Sequence, residues 1–176
     1  MDVWPRSDDT RSMQEVALWT ALFAAIAVGS IAFELRREIV PVWRLAIAPV
    51  AALACAISMP PEPRWLGAAI GAVVVGVVGG SVRGLSASLR VDHVWKVLRL
   101  RYVTYDGLVV ALVLALMAGA DIAPVASFIA HRLTPPPFTA IALLCAGYLV
   151  GRAASIGVRS QSTPHDDMRP DDPLRQ

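Results

Sequence analysis

The residues able to do chemistry are few and scattered. Cys55 and Cys145 are the two thiols; each lies inside an apolar run, and no Cys-x-x-Cys pair suggests a zinc site or a local redox motif. If those runs cross a bilayer in the order set out below, both thiols fall in its outer half at similar depth, and a redox pair is geometrically conceivable. The plainer reading makes each a small apolar core residue. Asp121 is the one acid near the end of an apolar run without a base close by in sequence. Within a bilayer it would hold a proton or a cation. Alternatively the run stops at Gly119 and Asp121 caps a short helix, with Pro124 just beyond. His93, His131 and His165 have no second ligand at helical spacing, so none is read as a metal ligand. No GxSxG, HExxH, phosphate-loop or dinucleotide fingerprint occurs, so the sequence implies no catalytic residue, no metal and no cofactor.

What positions these residues is a strongly apolar chain. Of 176 residues, 56% are hydrophobic and 17% charged, and mean hydropathy is +0.56. One water-soluble core cannot hide that excess, against about 25% charged residues in ordinary soluble domains. The net charge of +2 and the lack of a Lys/Arg run give no support to a nucleic-acid partner. A membrane helix needs roughly 17–25 mostly apolar residues, and five segments qualify: 16–33, 39–59, 65–82, 107–123 and 138–158. The expected fold is therefore an all-α membrane protein, a single bundle of five transmembrane helices over 1–159, with a disordered tail over 160–176. Asp2, Asp8, Asp9 and Glu15 precede the first span, unlike the basic start of a secretory signal, so that span is kept in the mature protein.

With Arg44 and Arg152, near the inner ends of their spans, counted with the adjoining connections, Lys and Arg in the six successive segments number 2, 3, 1, 5, 1 and 4. Alternate segments thus hold 12 against 4, and the richer set includes the C-terminus. The positive-inside rule then places the N-terminus outside and the C-terminus in the cytoplasm of a multi-pass inner-membrane protein. Arg36, Arg37, Arg44, Arg83 and Arg152 are expected at the inner interface, their stems snorkelling along the helices.

Half of the twelve glycines fall within 67–84. Gly67/Gly71, Gly76/Gly80 and Gly80/Gly84 have GxxxG spacing, and Gly147/Gly151 repeat it on the fifth span. In lipid, helices join by close backbone packing, so glycines four apart mark either a contact within the bundle, spans three and five included, or a homodimer face.

The connection at 83–106 has two readings. Leu89/Val91 and Leu98/Leu100/Tyr102 alternate with charged residues, as in a hairpin. Val91, Val94, Trp95, Leu98, Tyr102 and Tyr105 also form the apolar stripe of an amphipathic helix on an anionic inner leaflet. The Gly-rich span, its Arg exit, Leu89-Arg90-Val91-Asp92, Val97-Leu98-Arg99-Leu100-Arg101 and the following span resemble the CcdC-like family of small bacterial membrane proteins, over about residues 76–116. The resemblance implies a short cytoplasmic strand pair with Asp92 at its turn; His93-Val94-Trp95 stand where a Gly-containing turn is expected. It brings no catalytic residues. The expected function is a non-enzymatic membrane accessory or scaffold, with the lipid bilayer and a membrane-protein partner or second copy as its contacts. A small transporter or channel subunit is the alternative, and a thiol-redox accessory using Cys55 and Cys145 the third.

Overall fold

The computed structural model describes residues 7–36, 39–59, 63–92, 96–100, 105–122 and 136–164. Among them run α1 (Ser7–Arg36), β1 (Ile39–Pro41), a 3-10 turn (Val42–Ala46), α2 (Ile47–Ile57), a second 3-10 turn (Pro63–Trp65), α3 (Leu66–Ser86), β2 (Leu89–Asp92), β3 (Val97–Leu100), α4 (Asp106–Ile122) and α5 (Pro136–Ser162). Three stretches are long and apolar enough to cross a membrane: Leu18–Arg36, Pro63–Ser86 and Phe138–Ser162. Val42–Ile57 and Asp106–Gly119 are apolar but shorter.

The expected second span is not one helix. Its first residues form β1, and the helix proper begins only at Ile47. Two prolines set these boundaries. Pro41 cannot donate to a sheet ladder, and it ends an edge strand. Pro49 lies in the first turn of α2, where its missing N–H would have no helical partner anyway. At about 1.5 Å per residue, an eleven-residue α2 covers only about half of a 30 Å hydrocarbon core.

The connection between α3 and α4 resolves to strands, and the hairpin gains a third member. β1, β3 and β2 lie in that order, antiparallel, with Val40 opposite Leu98 and Val91 opposite Leu98 on the other side. Lys96 leaves the turn in the left-handed region at φ 51°, and its carbonyl accepts the Val42 N–H at 3.1 Å, extending the ladder. Leu98, Val91, Leu45 and Ile156 form a small buried cluster beneath the sheet. The sheet thus fastens the α1–α2 connection to the α3–α4 connection, against the C-terminal half of α5. These are three of the Arg-bearing segments, gathered at one end of the bundle.

Small residues make up most of the main core, around Ile31, Met59, Leu114 and Leu149: Ala24 and Ala27 of α1, Ala48, Ala51, Ala52 and Cys55 of α2, Ala111 and Ala118 of α4, and Ala142, Cys145 and Ala146 of α5. Many large apolar side chains point outward. Leu18 and Leu116 are each 67% exposed, Ile57 75% and Val75 63%. α1 and α2 run antiparallel, since the Thr20 hydroxyl donates to Ser58 Oγ at 2.8 Å near one end and Arg44 lies over the Phe33 ring near the other.

α1 runs three residues past the expected end of span one, so Glu34 belongs to the helix. α5 continues to Ser162, past the expected start of a disordered tail at 160. Residues 165–176 lie outside the described residues.

Candidate functional site

At the sheet end of the bundle, charged groups from four helices converge. Glu34 of α1 and Arg152 of α5 are 2% and 7% exposed, and Arg152 Nη1 stands 3.5 Å from Glu34 Oε2. That separation is long for a hydrogen bond, but neither charge has water to turn to. Arg152 also lies along Gly107 at the start of α4: a Cβ built there would sit 3.5 Å from its guanidinium carbon and 3.6 Å from Ile31. Beside this pair, the Tyr148 hydroxyl donates a short hydrogen bond to Asp106 Oδ2, and Arg83 Nε donates to the same oxygen at 3.1 Å. Asp106 opens α4, where a negative charge suits the exposed N–H groups of a helix start. The cluster is a cross-brace of opposed charges: it ties α1 to α5, and α3 and α5 to the start of α4. No group of three His, Cys, Asp or Glu fit for a metal occurs among the described residues.

α3 and α5 meet along a seam of small residues. A Cβ built on Gly76 would stand 2.9 Å from Tyr148 N and overlap Leu144 O; one on Gly80 would stand 2.9 Å from Arg152 N; one on Gly84, 2.7 Å from Arg152 O. From the other side, Gly147 faces Val73 O at 2.7 Å, and Gly151 overlaps Val77 O. Contacts advance in the same direction along both chains, so the helices are parallel and their backbones touch. Ser81 Oγ, 3.4 Å from Gly151 O, adds a polar contact to the seam. Gly67 and Gly71 depart from this pattern: nothing lies within 4 Å of a Cβ on either. The seam begins a full turn later.

Arg152 does not snorkel, because Glu34 meets it inside the bundle. The other basic residues divide. Arg36 and Arg83 are exposed, and Arg44 packs its guanidinium 4.4 Å from the Phe33 ring centroid and 5.2 Å from that of Trp43. Arg37 lies outside the described residues. Arg159, not singled out from sequence, donates to the carbonyls of Gly84, Leu85 and Ala87 at 3.2, 2.6 and 2.6 Å. It satisfies the orphan carbonyls at the C-terminus of α3 from a neighbouring helix. Cys55 and Cys145 form no disulfide, and both are buried in the same apolar core. Helix α4 continues through Asp121 to Ile122; the Asp121 side chain is outside the described residues, as are His93, His131 and His165.

No family model, curated protein or solved structure matches the chain.

Proposed function

We propose that this chain is a non-enzymatic integral membrane protein, an accessory or scaffold that crosses the inner membrane five times with its N-terminus outside and its C-terminus in the cytoplasm. The observation that carries the reading is the size distribution: the main core is mostly alanine with a few large side chains such as Leu114 and Leu149, while many Leu, Ile and Val lie outside. In water, the large apolar side chains would be the ones to bury. Against lipid tails they need no cover, and close approach of small residues is what joins helices. The sheet supports the orientation, because it gathers at one end the Arg-rich connections that the positive-inside rule assigns to the cytoplasm. The five-span count asks α2 and α4 to cross as short helices extended by their flanking segments. The resemblance of 76–116 to the CcdC-like family points the same way. Leu66, Ile70 and Val74 are exposed on α3, and with the open Gly67 and Gly71 they offer a membrane-protein partner or second copy a surface.

Cysteines placed at Ser7 and Ser162 in a Cys-free background test the topology. An impermeant thiol reagent is expected to reach the first from outside and the second only after the membrane is opened. Labelling of both from one side refutes five spans.

The Glu34–Arg152 pair favours a second reading, a small transporter subunit, since charges inside a bundle commonly mark ion paths. Proton flux into proteoliposomes that disappears in Glu34→Gln would establish it; no flux above empty vesicles would remove it.

A further inference from the structure

A groove of about 340 Å³ lies between α1 and the entry to α2. Its walls are apolar over most of their length: Ile26, Gly29 and Phe33 from α1, with Ile47 across from them. Gly29 keeps it open, for a Cβ built there meets nothing within 4 Å. From Ile26 to Phe33 the α1 wall runs about 10 Å at helical rise, long enough for the upper half of an acyl chain. At the sheet end the groove closes on Trp43, Arg44 and Glu34. Glu34 is already committed to Arg152. Arg44 is not: among the described residues its cation lies over two ring faces, no acidic side chain pairs with it, and its Nε is buried without an acceptor. A guanidinium beside apolar walls with a buried donor unanswered calls for an anion with oxygen acceptors. An apolar trough leading away from it calls for a hydrocarbon chain.

One molecule supplies both. Resting on the membrane reading above, we propose that this groove binds an anionic phospholipid, its headgroup phosphate on Arg44 and one acyl chain along Ile26, Gly29 and Phe33. Arg44 lies at the end of the bundle assigned to the inner leaflet, where anionic lipids meet basic pockets between helices. Trp43, 63% exposed beside the guanidinium, stands at the level of the headgroup and adds a ring that favours that interface.

The test uses the full chain in nanodiscs, with Trp43 kept as the single tryptophan and the other four replaced by Phe. Small fractions of acyl-brominated phosphatidylglycerol or phosphatidylcholine are compared as quenchers of its fluorescence. The parent is expected to prefer phosphatidylglycerol about fivefold, the contribution of one basic residue near an anionic headgroup. Arg44→Gln should erase the preference, Arg44→Lys keep part of it, and Arg90→Gln, on an exposed strand position, leave it whole. Gly29→Leu should reduce quenching by both lipids, since its side chain fills the trough. Equal quenching by the two lipids in the parent overturns the site while leaving the membrane reading intact. Quenching by neither, in a protein that stays in solution without detergent, overturns both. Loss of the preference on adding millimolar inorganic phosphate would show a free-anion site and also overturn the lipid assignment.

Discussion

Along α5, the side that meets α3 and the side that meets α1 and α4 are built on different physics. Toward α3, Gly147 and Gly151 interlock with Gly76, Gly80 and Gly84, and attraction is dispersion between touching backbones. Toward α1 and the start of α4, Arg152 reaches Glu34 beside Gly107, and an electrostatic contact in a setting with little water adds to the apolar packing of Ala142, Cys145, Ala146 and Leu149. The first contact tolerates no added volume. The second tolerates no lost charge. A helix carrying both is fixed in position by one and in rotation by the other, because only one rotation points Arg152 at Glu34 while keeping its glycines on α3.

The largest expected effect comes from breaking the shape contact. Gly76→Leu with Gly80→Leu pushes side chains into the backbone of α5 and should lower stability by about 2–6 kcal/mol for the pair. Thermal unfolding in detergent reads it, with Val74→Leu as a volume control on the exposed face of α3. A double variant as stable as the parent would mean that α3 and α5 do not touch here.

Next comes the charge contact. Arg152→Met leaves Glu34 buried without its partner and should cost about 3–5 kcal/mol. Adding Glu34→Leu in the same chain should recover most of that loss, because two apolar residues need no compensation. A double variant no better than the single one would show that Arg152 acts through packing alone.

Smaller again is the carbonyl cap. Arg159→Ala removes three acceptor contacts at the end of α3 and should lower stability by about 1–2 kcal/mol. Faster amide exchange over Gly84 to Ala87 should accompany it, while the Gly76 region stays protected. The smallest effect sharpens the comparison: Gly67→Leu with Gly71→Leu should change stability by less than about 0.5 kcal/mol, since no described residue lies against either. A large loss there, with a change in mass on light scattering, would place a second copy on that face.

The two contacts of α5 were not equally legible. Glycines repeated every four residues on two apolar runs announce a close approach, because few other causes retain glycine inside a helix. The spacing did not say where the seam starts, and Gly67 and Gly71 have the same pattern without a neighbour among the described residues. Glu34 gave no comparable signal: followed by Arg36, Arg37 and Glu38, it looked like the charged end of a span, and its partner lies more than a hundred residues away in sequence. β1 was hidden for a related reason. Ile39-Val40-Pro41 is an apolar start to an apolar run, and periodicity over three residues cannot tell a strand from the first turn of a helix. Its identity comes from pairing with β3, a contact that sequence order does not display. The alternation at Leu89–Asp92 and Val97–Leu100 was local, and the hairpin was therefore readable as one of two foldings. Arg159 went unnoticed because capping usually comes from a helix's own flanks, not from a neighbouring helix.

The sheet has a consequence for assembly. Val40 is paired with Leu98, so about sixty residues must be synthesised after one strand before its mate exists, roughly 3–12 s at ordinary elongation rates. Through that interval α1, α2 and α3 have to take their places without the ladder. Once β3 arrives, it slots between β1 and β2 and binds the early pair of helices to the late pair. If the chain crosses the membrane five times as proposed above, the sheet works as a latch that can close only on a correctly threaded chain: with α2 or α3 left uncrossed, the two connections would face opposite sides and the strands could not meet.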